Sequence, residues 1–414
     1  MEEKLTIAKE MLEKYGQEQL LSCYNRMNKS KQDELLNEIL TTDFKKVNQL
    51  FATTKNKKED KNSKIEPIEH ISKDKLTEEE YEKYQKIGEQ AIKQGKLAVV
   101  TMAGGQGTRL GHTGPKGTYD IGLESHKSIF EILCDNFKRA KEKYGVCIPW
   151  YIMTSDENNE ETVKFFDENN YFGYPKTEVY FFRQGKLPMI DQKGKILLNE
   201  EGMIKQAADG HGGVLNAMRK NGVIYDMKER NIEWVFISGV DNILAKFIDP
   251  VFLGAQISNQ YMAASKSVVK AYANEKVGVF CKRNGRPSVI EYTEISEELA
   301  SEVDSKGEFL LGDSNIVNHQ FSIDILEELS SEKLPYHRAF KKANYLGKDG
   351  KVINVNEPNA YKFEAFIFDV FEQVSKMLVF RVKREEEFAP IKNAEGKDSP
   401  DTAKKLYEEF YKDK

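Results

Sequence analysis

Residues 97–116 read LAVVTMAGGQGTRLGHTGPK. An apolar run of one strand's length, 97–102, breaks off at Gly104, Gly105 and Gly107. Arg109 follows two residues later, and Pro115-Lys116 closes the stretch. This is the pattern of a turn at the carboxyl edge of an α/β sheet, the edge at which such sheets bind ligands. Glycines there remove side chains where a backbone must touch something, and they permit positive φ. N–H groups left bare in such a turn can hold anionic oxygens. Arg109 and Lys116 add two cations, and one charge-assisted hydrogen bond is worth about 1.5–3 kcal/mol.

Three ligand readings fit a glycine turn. Gly105, Gly107 and Gly111 form GxGxxxG, which points to a dinucleotide fold. That fold needs an acidic residue about 20 positions on, at the end of the next strand. The next strand ends near Ser155 and Asp156, much too late. A P-loop needs GxxxxGK followed by Ser or Thr, and the chain has no such string. The third reading is a nucleotidyltransferase loop, with glycine backbone along a nucleotide and Arg and Lys on a triphosphate. A tight turn without ligand would account for a lone GxG, but not for glycines joined to Arg and Pro-Lys.

Working outward, 414 residues suggest two or three domains. The chain is 39% hydrophobic and 31% charged, enough apolar material for a sizeable core. Its 62 basic and 67 acidic residues leave a net charge of −5, so no nucleic-acid or membrane-surface partner is expected and any anion site must be local. Cys23, Cys134, Cys147 and Cys281 form no CxxC pair and no zinc-like cluster, and read as reduced thiols. The opening MEEKLTIAKEMLEKYG reads as a charged helix rather than a signal peptide, and no apolar window approaches about 18 residues. A cytoplasmic protein is the expectation.

Residues 3–52 read as helices, with Leu5, Ala8, Met11, Leu12 and Tyr15 on one stripe and Leu35, Leu36, Ile39 and Leu40 on another. The polar stretch 53–66 reads as a surface connection. TEEEYEKYQKIGEQAIKQG, from Thr77, opens with a capping box and stops at a glycine. Strands at 97–102, 148–155, 177–182 and 233–239 alternate with helices at 127–145 and 158–170, which predicts a mostly parallel sheet covered on both faces. VGVFCKRNGRPSVIEYTEI carries two β runs around Asn284-Gly285, a hairpin signal. Residues 345–356 and 377–383 also look β-rich. The expected fold is α/β and Rossmann-like: a mixed, mostly parallel central sheet with helices on both faces. The expected domains are a helical N-terminal region (1–90), a catalytic nucleotide- and sugar-binding α/β domain (91–330) and a small β-rich C-terminal domain (331–414).

AGGQGTRLG followed by GPKGTYDIGL resembles the signature of the eukaryote-type UDP-sugar pyrophosphorylase family, and is most similar to its UDP-N-acetylglucosamine branch. The resemblance runs from about residue 80 to 405. It takes in FFRQGKLPMI, ADGHGGVLNAM, ISGVDNILAKFIDP, EKVGVFCKRNG, VIEYTEIS, NIVNHQFS, LPYHRAFKK, YKFEAFIFDVF and FAPIKNAEGKDSP, in the family's order. It implies the nucleotide-diphospho-sugar transferase type of fold. It also implies a uridylyltransferase in which UTP and N-acetylglucosamine 1-phosphate give UDP-N-acetylglucosamine and pyrophosphate, with Mg²⁺. The acceptor oxygen attacks the α-phosphorus in line, so the protein must align two polyanions and stabilise charge on the phosphates.

By that resemblance Arg109 and Lys116 hold the departing β- and γ-phosphates, and Lys392 and Lys362 also point toward phosphates. Gly104 and Gly105 pack on uracil and ribose, and Gln184 reads the uracil edge with an amide that both donates and accepts. Asp241, after the run WVFISGV, carries Mg²⁺ or binds ribose hydroxyls; the competing reading is a cap on a helix begun by NILAKF. Gly210 belongs to the nucleotide set and opens a second glycine turn with His211, Gly212 and Gly213. His211, Gly278, Glu291, Tyr292 and Asn315 form the sugar set, and Phe366 and Phe368 form an apolar wall near the N-acetyl group or simply core. Closure of the segment bearing Lys392 over the site would suit this chemistry. His211 departs from the Asn usual in the N-acetylglucosamine enzymes, and Gly-His-Gly is more like the UDP-glucose and broad UDP-sugar enzymes. Glucose 1-phosphate therefore stays open as substrate. An NAD(P) oxidoreductase and a non-catalytic nucleotide-sugar sensor are the other classes. The expected assembly is a monomer or weak homo-oligomer.

Overall fold

The computed structural model describes residues 1–55, 63–332 and 334–412. Part of the expected surface connection, 56–62, lies outside them. The described residues gather into two compact units interleaved along the chain. One draws on Met1–Lys61, Gly185–Gly213 and Leu334–Phe366, the other on Asn62–Gln184, Val214–Lys333 and Ile367–Lys414.

The larger unit is built on an 11-stranded sheet. Leu97–Met102 is buried at every position, as a strand covered on both faces must be. Trp150–Thr154 and then Val179–Arg183 lie parallel to it on one side, and Trp234–Gly239 lies parallel on the other. Asp313–Ser322 comes next and runs antiparallel to both Trp234–Gly239 and Ala263–Val269. Leu378–Arg381 and His70–Ser72 complete the far edge, parallel to Ala263–Val269. The sheet is thus mixed and mostly parallel, as the strand–helix alternation predicts. The β-rich stretch near 378 is a strand of this sheet.

Local chemistry places the elements. Thr77 caps the helix Glu78–Lys93 with both halves of the capping box, through Glu80. That helix packs on Pro250–Ser258 through two glycines. A side chain at Gly88 would strike the Pro250 backbone, and one at Gly254 the Tyr84 carbonyl. Ser128 caps Ile129–Tyr144, which ends at Gly145 in the left-handed region. Asn284 and Gly285, with φ of 51° and 81°, join Val279–Arg283 to Arg286–Ile290 in the two-residue turn that matches strand twist.

In the smaller unit the helices Glu2–Tyr15, Lys29–Thr41 and Phe44–Lys55 bury Ala8, Leu12, Leu35, Leu36 and Ile39 against Ile190, Ile196, Leu198 and Phe363. Its strands form small antiparallel sheets: His337–Lys341 with Ala360–Glu364 and Ile190–Asp191, and Tyr345–Leu346 with Val352–Ile353.

A charged group lies in the core of the larger unit. Lys266, fully buried on the strand Ala263–Val269, donates to Asp249 at 2.9 Å, Glu387 at 2.6 Å and the Lys246 carbonyl at 3.3 Å. Lys73 reaches the same Asp249 oxygen at 2.9 Å. Burial alone would raise the Asp249 carboxyl, but the two ammonium groups outweigh it and hold it far below the carboxylate range. Asp249 therefore adds stability that is complete above its unfolded value of about 4 and is lost as pH falls below it. Replacing Lys266 by Met leaves two buried carboxylates short of a partner. Urea unfolding at pH 7 should show a loss of about 3–5 kcal/mol, and the loss should shrink as the pH is lowered below about 4.

Candidate active site

From Leu97–Met102 the chain steps outward through two strands and then returns to the other side at Trp234–Gly239. The carboxyl ends of these two central strands therefore flank the point where strand order reverses, the place where open α/β sheets bind ligands. The first glycine loop leaves one end and Asp241 follows the other.

The loop doubles back on itself. The Gly107 N–H donates to the Gly114 carbonyl at 2.9 Å and the Lys116 N–H to the Gly105 carbonyl at 3.1 Å. His112 Nε2 pairs with Thr118 Oγ1 at 2.7 Å. Beneath lies Asn158, fully buried. Its Nδ2 donates to the Ala103 carbonyl at 2.9 Å and the Gly105 carbonyl at 3.3 Å, while its Oδ1 accepts from the Ser155 N–H at 2.8 Å. Sequence reading missed Asn158; only its place just after a strand hinted at it.

Of the two uses open to these glycines, Gly104 and Gly107 serve space, and none of Gly104, Gly105 and Gly107 takes a positive φ. The positive values fall at Gly111 and Gly114, 70° and 132°. A Cβ on Gly104 would sit 2.6–2.8 Å from the Gln184 amide, and one on Gly107 would sit 2.8 Å from His112. Above Gly105 there is open space. The sheet thus brings together the two candidate nucleoside contacts. Gln184 follows Val179–Arg183, is half-buried against Gly104, and donates its backbone N–H to the Thr154 carbonyl at 2.8 Å.

Asp241 begins no helix: residues 241–248 are turn and irregular, which removes the capping alternative. Its carbonyl accepts from the Ile391 N–H at 2.9 Å, and Asn242, 3% exposed, holds the rest of that strand of chain. Asn242 Nδ2 donates to the Glu387 carbonyl at 2.8 Å and Oδ1 accepts from the Ala389 N–H at 2.9 Å. The segment leading to Lys392 is therefore pinned beside Asp241.

As a result Arg109, Asp241 and Lys392 all act on Lys116. Burial lowers the Lys116 ammonium below the ordinary lysine range; Asp241 opposes that shift, and Lys392 and Arg109 add to it. Among the described residues none of these three cations has a carboxylate partner within 4.0 Å. A half-buried lysine lowered by burial and by neighbouring cations, and left without a paired carboxylate, is suited to hold an anion. Among the described residues no cluster of three His, Cys, Asp or Glu side chains could hold a metal ion. Asp241 supplies one hard carboxylate in this cationic surround. That fits an ion which leaves most of its shell to water and to substrate phosphates.

Farther along the same unit, Gly278 makes room for Glu291. A Cβ there would lie 2.8 Å from Glu291 Oε1. The Gly278 carbonyl accepts the Asn315 N–H at 2.8 Å, and Asn315 Oδ1 accepts the Val317 N–H at 2.9 Å. Val317 has φ of 55°, a strained value for a β-branched residue, where the pairing with Ala263–Val269 slips between Ser265 and Ser267. Glu291 and Tyr292 follow the strand Arg286–Ile290 and lie in a turn, with Tyr292 exposed. Phe368 is buried in a short 3₁₀ segment, Ile367–Gln373.

The smaller unit carries the other candidates. Gly210 has φ of 88°, and the Gly212 N–H donates to the Ala365 carbonyl at 2.9 Å. The His211 ring lies against Phe366 at 5.2 Å and 21°, and Phe366 lies against His337 at 4.4 Å and 23°. Lys362 is engaged by Glu364 at 2.8 Å. Asp209, buried, fills the space that side chains on Gly185 and Gly213 would take. Sequence reading passed over Asp209 and His337, although both lie inside the quoted blocks ADGHGG and LPYHRAFKK.

Fold and loop together are those of a nucleotidyltransferase. Residues 41–397 match the family described as UTP–glucose-1-phosphate uridylyltransferase, and the chain belongs to that family. It is 38% identical to the UDP-N-acetylglucosamine pyrophosphorylase of Saccharomyces cerevisiae, over 97% of this chain and 89% of the relative. It is 37% identical to UDP-N-acetylglucosamine diphosphorylase 2 of Arabidopsis thaliana, over 96% and 82%. Among solved structures, the uridine diphosphate N-acetylglucosamine pyrophosphorylase of Trypanosoma brucei superposes with a TM-score of 0.82 at 28% identity, covering 97% of this chain and 84% of that one.

Asn158→Ala should loosen the loop without touching any cation. Removing a buried amide that satisfies two carbonyls should lower stability by about 1–3 kcal/mol in denaturant unfolding. It should also speed hydrogen exchange at the Lys116 amide. Unchanged exchange there would remove Asn158 from the loop's support.

Proposed function

We propose that this protein is a uridylyltransferase that joins UTP to N-acetylglucosamine 1-phosphate, releasing pyrophosphate and forming UDP-N-acetylglucosamine. The observation that carries the reading is that Lys116, at the sheet's switch point, feels Arg109 of its own loop together with Asp241 and Lys392 from distant parts of the chain. The similarity to relatives named for this sugar nucleotide, over nearly the whole chain, supports the choice of product.

In this reading a phosphate oxygen of the acceptor attacks the α-phosphorus of UTP. The new P–O bond forms as the bond to the β-phosphate oxygen breaks, and the electron pair leaves with pyrophosphate. Lys116 and Arg109 would hold the departing phosphates, and Lys392 would lie across from them. Charges already fixed in place need no reorganisation as the transition state forms. Gly105, open to solvent, would face the nucleotide, and Gln184 against Gly104 would meet the uracil edge with Gly210 among the nucleotide contacts. Asp241 would hold Mg²⁺, which when bound neutralises phosphate charge. His211, Gly278, Glu291, Tyr292, Asn315, Phe366 and Phe368 would face the sugar. Lys362 would have to leave Glu364 to reach a phosphate.

His211 keeps glucose 1-phosphate in play as acceptor, since a tenfold preference is only about 1.4 kcal/mol. A cytoplasmic enzyme, as a monomer or weak homo-oligomer, fits this reading. No described helix is long and apolar enough to cross a membrane.

Pyrophosphate release should require UTP, a sugar 1-phosphate and Mg²⁺ together, and should be faster with the N-acetylglucosamine than with the glucose ester. Lys116→Ala should cost about 10²–10³ in kcat, by analogy with other preorganised charge contacts. A near-normal kcat in that variant would sink the phosphate clamp. Because the ammonium of Lys116 is held low, affinity for UTP should fall at high pH, and Lys116→Arg should move that limb upward.

A further inference from the structure

Two loops of the larger unit meet at one buried carboxylate. The first, 271–278, ends at Gly278, the residue that makes room for Glu291 and bonds to Asn315. The second carries Lys392. The Lys392 and Asn393 N–H groups both donate to the Asp398 carbonyl, at 2.6 and 3.1 Å, and Asn393 Nδ2 donates to the Lys397 carbonyl at 2.8 Å. Residues 392–398 therefore form a turn closed by its own hydrogen bonds.

Glu275 joins them. It is 2% exposed. Its Oε2 accepts from the Ala271 N–H at 2.8 Å, within its own loop, and from Arg384 Nη2 at 2.8 Å. Its Oε1 accepts from Lys397 Nζ at 3.2 Å, across to the second loop. Lys397 also meets the Tyr272 hydroxyl at 3.1 Å and lies over that ring. Burial alone would raise this carboxyl, but the Ala271 N–H, Arg384 and Lys397 together keep it lowered and charged. A buried charge held by partners on two loops resists any displacement that separates them, because the unpaired carboxylate would be stranded.

We propose that Glu275 is a positioning residue: through Lys397 it makes the placement of Lys392 beside Lys116 depend on the loop that ends at Gly278. The consequence is coupling. A sugar phosphate that orders the Gly278, Glu291 and Asn315 region also steadies Lys392, so the phosphate-holding charge is best placed when the acceptor is present. This inference rests on the proposed uridylyltransferase reading for its chemistry, but the tie itself is structural.

The test uses the full chain with two variants, Glu275→Gln and Lys397→Met. The second replaces a half-exposed side chain and spares the buried core. Hydrogen exchange at the Lys392 and Asn393 amides should speed at least tenfold in both variants. Pyrophosphate release should show kcat reduced about tenfold with KM for UTP little changed. Lys397→Arg should restore both. In a Lys392→Ala background, adding Lys397→Met should cost nothing further, because a positioning residue has no effect once the group it positions is gone. Unchanged exchange at both amides, or a full additional loss in the Lys392→Ala background, would overturn the proposal. Failure of the parent chain to release pyrophosphate with any sugar 1-phosphate would instead defeat the functional reading, and the exchange measurement would still decide the tie.

Discussion

Like charges repel, and the switch point of this sheet brings Arg109 and Lys392 within electrostatic reach of Lys116, with Asp241 as the opposing charge. Such a group does not assemble by attraction. It has to be imposed by backbone and neutral amides that are indifferent to the charge they carry. Asn158 does this for the glycine loop and Asn242 does it for the segment before Lys392. Both are buried and satisfied at either end, and neither is ionisable. In the proposed reading, the positive field they hold in place is neutralised by the substrate phosphates.

Behind the amides stand buried ions that pair with one another. Lys266 holds Asp249 and Glu387. The same Asp249 caps the helix Pro250–Ser258 through the Val251 and Phe252 N–H groups. The Glu387 carbonyl receives the Asn242 amide. One lysine on a central strand is thereby connected to a helix start and to the segment that delivers Lys392. Buried ion pairs are weak contributors to net stability but costly to break. They suit a place where a particular arrangement matters more than free energy.

Much of this was legible in the chain. The apolar run into glycines at 97–107, the alternation of strands and helices, the capping box at Thr77 and Glu80, and the Asn284-Gly285 hairpin are local signals, and the structure realises them where they stand. Other features depend on distant partners. The strand Asp313–Ser322 enters antiparallel between two blocks that are otherwise parallel, and Leu378–Arg381 crosses back to join the same sheet. Their apolar patterns announce strands but not neighbours. The glycine loop shows the limit most clearly. Its glycines were visible and its ligand class could be argued, yet the reason for Gly104 and Gly107 is the Gln184 amide and the His112 ring, which no local rule supplies.

What the sequence by itself determined is the kind of chemistry: a side-chain-free turn after a buried strand, bracketed by cations, reads as a seat for phosphate because both bare N–H groups and fixed positive charge are written there. Tertiary structure alone decided which residues share that seat. Lys392 comes to Lys116, Asp241 to the same spot, and Glu275 to the loop behind, because backbone hydrogen bonds and buried charge pairs act across space without regard to separation along the chain.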